Sequence, residues 1–216
     1  DQFLITKKLL ISTGGHPSGY KLAKSLGHNI IKPVPSLFSF SCKDKKLKDC
    51  KGVSVKNVYL KIEVNNQYFE SQGDILITHW GFSGPGILRL SSEAARELYE
   101  QKYKFKLFIK WTNLDSFELY RIINNLRETS GKSNLINSRP IPLITKRLWI
   151  YLLNKLELDT NKTWAEILSF ERDQIIQILL KDEYQICGKG PFGDEFVTSG
   201  GVSTDEVSFK TMESSK

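Results

Sequence analysis

Between residues 53 and 79 apolar and polar positions alternate. Val58, Leu60, Ile62 and Val64 share one parity, with Lys61 and Glu63 on the other. A period of two is that of a strand buried on one face. Asn65-Asn66 follows and fits a tight hairpin turn, because asparagine tolerates positive φ. Phe105, Leu107, Ile109 and Trp111 alternate in the same way with Lys104, Lys106 and Lys110. Between the two, Ser91 or Ser92 is placed to cap a helix running to about Glu100. The stretch predicts an antiparallel sheet or small barrel.

From residue 115 to 182 the period lengthens to that of helices. Asp115 with Glu118, and Thr163 with Glu166, have capping-box spacing, in which each side chain satisfies a backbone N–H of the other. Leu119, Ile122, Ile123 and Leu126 make one apolar stripe. Ile144, Leu148, Leu152 and Leu156 make a second, with Trp149 and Leu153 beside it. Ile175, Ile176, Leu179 and Leu180 belong to a third helix near Arg172 to Lys181. Three or four amphipathic helices in succession predict a small bundle. Strand-like segments return at Glu195–Ser199 and Glu206–Phe209, so the simplest layout inserts the bundle between strands of one barrel.

The N-terminal end differs. KKLLISTGG at 7–15 has a continuous apolar run, Leu9-Leu10-Ile11, as in a strand buried on both faces. A short helix is expected from about Tyr20 to Leu26, stopped by Gly27, and Pro33 with Pro35 mark a boundary near residue 34. The predicted class is therefore α+β, an antiparallel β-barrel with an inserted helical bundle. Its expected parts are residues 1–34, a first half of the barrel at 35–112, helices at 113–183, and returning barrel strands at 184–216.

Composition adds exclusions. The 216 residues are 40% apolar and 25% charged, which suits a folded core and argues against disorder. No apolar run approaches the roughly 20 residues of a membrane span, and the start has no signal-peptide pattern. Three cysteines, Cys42, Cys50 and Cys187, with no C-x-x-C pair, argue against a disulfide framework or a zinc ribbon and for a reducing, cytoplasmic setting. The chain opens at Asp1, and Met212 is its one methionine. It is expected to be a piece of a longer polypeptide. The net charge of +7 is uneven: residues 1–56 carry +8, with 11 lysines against 3 acids, and the rest of the chain carries −1. The densest stretch, Lys43 to Lys51, reads as a solvated loop, and with 24 lysines against 7 arginines a nucleic-acid partner is not expected.

Several motifs carry candidate chemistry. Gly188 to Gly193 spells G-x-G-x-x-G, but a strand-like segment follows it instead of a helix, so it reads as a loop. Gly81-Phe82-Ser83-Gly84-Pro85 nearly spells a nucleophile elbow, yet no histidine follows the last one, His79, and a serine hydrolase is disfavoured. The same turn fits either a tight strand-to-helix junction or a helix start whose free N–H groups attract anions. His16, His28 and His79 lack metal-ligand spacing, so no metal site is expected. His79, beside the glycine-rich turn, is the candidate catalytic residue, with a hydrogen-bonded structural role as the alternative. Ser12-Thr13-Gly14-Gly15 and Thr198-Ser199-Gly200-Gly201 each end in two glycines, which let a flat ring or a pyrophosphate approach the backbone. They can meet in space if the central region is an insertion.

LLISTGGHPSGYKLAKSLGHNIIKPVPSLFSF, GDILITHWGFSGPGILRLSS and EFVTSGGVSTDEVSFKTMES stand in the order and spacing of the bacterial BaiN-like (YhiN, aminoacetone-oxidase-type) FAD-dependent oxidoreductases, which the chain resembles over its whole length. The resemblance implies a flavoprotein whose FAD-binding α/β, Rossmann-like domain is interrupted by a barrel-and-helix insert, with residues 1–34 and the last residues as remnants of that domain. It implies that Ser12, Thr13, Gly14 and Gly15, with Gly200, Gly201, Val202 and Thr211, belong to the FAD-binding part. It further implies an unknown small-molecule substrate, possible reduction by NAD(P)H, and an insert that covers the flavin with the His79–Gly86 turn facing it. Most FAD affinity in such a fold comes from a pyrophosphate on the first helix N-terminus, which the resemblance leads one to expect upstream of Asp1. The chain alone is then expected to be colourless. A nucleic-acid-binding module and a non-catalytic interaction module are the alternatives from other classes.

Overall fold

A computed structural model describes residues 5–191 and 197–216. The elements in chain order are α1 (Pro17–Ser25), β1 (Ile30–Pro35), β2 (Phe40–Cys42), β3 (Ser54–Val64), β4 (Gln67–Ile77), β5 (Gly81–Ser83), α2 (Pro85–Glu93) and α3 (Ala95–Glu100). They continue with β6 (Phe105–Lys110), α4 (Ser116–Thr129), α5 (Lys146–Lys155), α6 (Ser169–Leu180), β7 (Asp182–Lys189), β8 (Thr198–Val202), β9 (Val207–Ser208) and β10 (Glu213–Ser214). The chain divides into a smaller unit, residues 1–36 with 194–216, and a larger one, residues 37–193.

The larger unit is built on a closed antiparallel barrel in the order β2-β5-β4-β3-β6-β7. Alternation dictates it. Leu60, Ile62, Ile75, Ile77, Phe82, Leu107, Ile109, Tyr184 and Ile186 are buried inside, while Lys61, Glu63 and Lys106 stand outside. β3 and β4 turn through Asn65 (φ 51°) and Asn66 (φ 60°), with Val64 opposite Gln67, as the hairpin reading required. Closure leaves these strands without an open edge. The fold class is the expected one, mixed α+β with barrel and helices.

The strand that closes the barrel is not the one expected. β7 starts at Asp182, directly after α6, and pairs with β6 on one side and β2 on the other. The expected returning strands do not belong to the barrel: β8 pairs with β1, Pro35 opposite Thr198, and β9 pairs with β10. Glu195 and Phe196, the first residues of the expected strand at 195–199, lie outside the described residues. Gly188 and Lys189 of the G-x-G-x-x-G spelling end β7, whereas Phe192 and Gly193 also lie outside the described residues.

The helix after β5 starts at the glycine-rich turn, as the helix-start reading of that turn requires, and not at Ser91 or Ser92. Gly84, at φ 100°, is the N-cap of α2 and Pro85 its first residue, while Ser91 lies inside the helix. Ser91 Oγ accepts the Phe38 N–H at 2.9 Å and donates to the Leu88 carbonyl at 2.8 Å. A Cβ on Gly84 would sit 2.8 Å from the Asp74 carbonyl, and one on Gly73 would sit 3.1 Å from Gly86 Cα. The glycines of G-F-S-G-P-G thus let α2 lie directly on the β4 backbone. Ser83, opposite Leu76, is the last residue of β5.

The helical stretch between β6 and β7 follows its capping signals. Asp115 Oδ1 accepts the Glu118 N–H and Glu118 Oε2 accepts the Asp115 N–H, both at 2.8 Å. Trp149 and Trp164 stack at 6.5 Å and donate to the carbonyls of Leu135 and Ser138, fixing the irregular chain between α4 and α5. A buried polar knot joins these helices to the barrel. Asp182, 1% exposed, accepts from Trp111 Nε1 (2.9 Å), Tyr184 Oη (2.5 Å) and Lys155 Nζ (2.5 Å). Burial pushes its carboxyl upward, opposed by the Lys155 ammonium and the three donors. Tyr151 Oη donates to Asp44 alongside, at 2.6 Å.

In the smaller unit α1 opens on Pro17 and stops before Gly27 (φ 90°), as expected from Gly27, although it starts earlier than Tyr20. The Leu9-Leu10-Ile11 run forms no strand ladder, and Leu10 is 86% exposed. A strand buried on both faces needs neighbours to bond, and among the described residues none pairs with it.

Candidate functional site

The smaller unit brings the two glycine doublets together. Thr13-Gly14-Gly15 leads into α1, and Gly200-Gly201 lies in β8. Between them stands Tyr20 of α1. A Cβ on Gly201 would lie 3.4 Å from Tyr20 Cε1, and one on Gly15 would lie 3.9 Å from Tyr20 Oη and from Thr198 Oγ1. Thr13 folds over Gly19, where a Cβ would collide with its hydroxyl. Gly200 (φ 122°) and Gly201 (φ 126°) hold backbone angles that side-chain-bearing residues rarely adopt. A Cβ on Gly14 would meet nothing within 4 Å, so the first doublet offers bare backbone.

Ser12 is exposed beside this group, and Val202 pairs with Ile30 at the end of β8. Thr211 is not part of the cluster around Tyr20. It lies in the β9–β10 turn, exposed, with its hydroxyl accepting from Glu213 N at 3.4 Å. Tyr20 was missed by the sequence reading; its signal was an aromatic ring one helical turn beyond a glycine pair.

Glu206 fastens the same unit. Its carboxylate accepts from Lys216 Nζ at 2.6 Å and from Asn29 N and His28 Nδ1, both at 2.9 Å. The Lys216 ammonium, then these two donors, hold its pKa down to about 2.

His79 belongs to the larger unit. It is exposed in the bend after β4, with its ring edge-on to Trp80 at 4.3 Å. The turn is held by Thr78 Oγ1, which accepts from Gly81 N at 3.1 Å, and by Trp80 Nε1, which donates to Ser39. Of the other histidines, His16 caps α1 and His28 bonds Glu206. Among the described residues no cluster of His, Cys, Asp or Glu is placed to hold a metal ion, and no helix is long and apolar enough to cross a membrane. The cysteines are free, and burial raises the Cys50 thiol to about 11.

The residues around Tyr20 present bare backbone beside an aromatic ring. Backbone without side chains, one open glycine and an aromatic wall accommodate a flat ring or a diphosphate, which a substituted strand end would keep away.

Residues 34–197 match the family described as HI0933-like protein barrel and H2TH domain. The ribosomal RNA dihydrouridine synthase of Escherichia coli K12 is 28% identical over 97% of this chain and 52% of its own length. The protein of that name from Haemophilus influenzae is 27% identical over 97% of the chain and 51% of its length. The 3-dehydro-bile acid delta(4,6)-reductase of Clostridium scindens is 25% identical over 94% and 49%. The chain spans about half the length of these curated relatives. It belongs to the HI0933-like family of flavoproteins, the BaiN/YhiN-like group, whose members here are oxidoreductases.

Proposed function

We propose, with membership of the HI0933-like flavoprotein family as the premise, that this chain is the barrel-and-helix part of a longer FAD-dependent oxidoreductase. In this reading the enzyme adds two hydrogens across a carbon–carbon double bond, and its preferred substrate is a uridine ring of ribosomal RNA. The observation that carries the cofactor assignment is the meeting of Gly14-Gly15 and Gly200-Gly201 at Tyr20. Ser12 to Gly15 and Gly200 to Val202 are the residues that would hold the flavin. When bound, a reduced flavin supplies a hydride equivalent, with NAD(P)H as the electron source.

The remainder falls to the protein's own side chains. His79 is the proposed donor of the proton that completes the saturated bond. RNA is preferred because two relatives carry ribosomal RNA in their names, at higher identity than the third. Here the proposal departs from the expectation drawn from scarce arginine. The bile-acid reductase supports a second reading, a small-molecule substrate with a conjugated double bond. An RNA substrate also supports residence in the cytoplasm, where ribosomes are.

The test uses the whole polypeptide and the 216-residue chain side by side. The whole protein should purify yellow with bound flavin, and the chain alone should be colourless. With NADH or NADPH, the whole protein should add two hydrogens to a uridine of a ribosomal RNA transcript, read by mass spectrometry of the nucleosides. A whole protein without flavin would overturn the cofactor assignment. Reduction of small enones but never of RNA would transfer the assignment to the second reading.

A further inference from the structure

Four of the chain's seven arginines are gathered in one place. Arg121 and Arg127 lie on α4, Arg139 follows it, and Arg172 lies on α6. Arg121 and Arg139 line a groove of about 660 Å³, and Arg127 and Arg172 line an adjoining one of about 470 Å³. The two grooves share Tyr120, Asn124 and Glu128, so they form one continuous surface.

This is not an ordinary solvated helix face. Such faces are commonly laced with Lys–Glu pairs, yet α4 has no lysine in a chain that contains 24. Among the described residues Arg121, Arg127 and Arg139 make no ion pair or side-chain hydrogen bond, which leaves their guanidinium donors open. Of the two acids that line the first groove, Glu118 is already committed to its capping box and Glu128 stands at the junction with the second groove. Phe117 stands 66% exposed one turn before Arg121, and the Arg172 guanidinium lies 4.4 Å over the ring of Tyr120. Leu119 and Ile123 bury the opposite stripe, so the surface is presented on a rigid helix.

Guanidinium groups fork onto phosphates, exposed aromatic rings stack on unpaired bases, and amides such as Asn124 bond base edges. We infer that the polar face of α4, with Arg139, is a docking surface for an RNA segment with unpaired bases. The inference rests on the RNA reading above and adds where the RNA is held.

The experiment measures binding of a fluorescein-labelled RNA hairpin with a uridine-rich loop, by anisotropy over a salt series, using the whole protein. The triple variant Arg121→Ala, Arg127→Ala, Arg139→Ala should bind about 10–100-fold more weakly, with a salt slope shallower by about 2 for three lost phosphate contacts. Phe117→Ala should lose about 5–100-fold without changing the slope, as a lost base stack does. A charge-matched control, Lys45→Ala, Lys46→Ala, Lys48→Ala, should bind as the unaltered protein does. Unchanged flavin content and far-UV circular dichroism show that each variant is folded.

If the lysine triple loses as much as the arginine triple, or the arginine triple loses nothing, the α4 surface is refuted while the RNA reading stands. If polyglutamate displaces the hairpin as well as unlabelled RNA does, the surface accepts any acidic partner and the inference falls. If the unaltered protein does not bind the hairpin even at low salt, the RNA reading and this surface fall together.

Discussion

Asp182→Ala tests how the helices are held to the barrel. The carboxylate is 1% exposed and serves three donors. Its removal leaves Trp111 Nε1–H and Tyr184 O–H buried without an acceptor, at about 1–3 kcal/mol each. Lys155 adds little, because its ammonium keeps the Glu183 carbonyl at 2.8 Å, lies over the Tyr184 ring and reaches solvent. The expected loss is therefore about 2–6 kcal/mol, which at about 2–4 °C per kcal/mol for a unit of this size lowers Tm by roughly 4–24 °C. Urea unfolding followed by tryptophan fluorescence reads it, since Trp111 is itself a partner. Asp182→Asn, which keeps an acceptor oxygen, should lose about half as much. A cycle with Lys155→Met should show a coupling of about 0.5–3 kcal/mol between the two positions. A loss below about 1 kcal/mol for Asp182→Ala would show that the buried donors find other acceptors, and the reasoning would fail.

Two further outcomes test the smaller unit and the chemistry. The pKa of Glu206 is held down to about 2, below the usual carboxylate value of about 4.3, so its contribution to folding is full above that value. The contribution should fade as pH drops from about 4.3 towards 2, seen as faster hydrogen exchange at the Asn29 amide. Glu206→Gln should remove that acid dependence, and an amide whose protection stays flat through the window would contradict it. In the whole enzyme, His79→Ala should lower substrate turnover by about 10²–10³-fold while flavin reduction by NAD(P)H is unaltered. Unchanged turnover would remove His79 from the chemistry.

The barrel was legible where one face is buried and the other wet. Leu60 against Lys61, or Leu107 against Lys106, records the pleat directly in the order of residues. Capping was legible at Asp115 and Thr163, because the box depends on local spacing. It was misread at Ser91, where the true cap is a glycine whose role is set by the nearby β4 backbone. The start of β7 was hidden because the apolar stripe of α6 runs to Leu180 and Asp182 follows with no intervening turn signal. The Leu9–Ile11 run spells a buried strand yet makes no ladder, because an apolar run specifies burial and not a partner. In the site, the glycine doublets were visible as spellings, whereas Tyr20 became relevant only once folding placed it between them. The arginine surface was hidden by counting: seven arginines are few along a chain, but four are many on one face.

The antiparallel pairing of β1 with β8 sets Pro35 opposite Thr198, and the Ser36 N–H donates to the Val197 carbonyl at 3.0 Å. The polypeptide therefore departs into the barrel and comes home along the same two-stranded stem. A module tethered through neighbouring ends can be exchanged, enlarged or deleted in evolution with little disturbance to the domain that hosts it, because its termini already satisfy each other. Swapping everything beyond the stem for a short turn is thus a natural route to a minimal host domain, and grafting the barrel onto another hairpin is the reciprocal route.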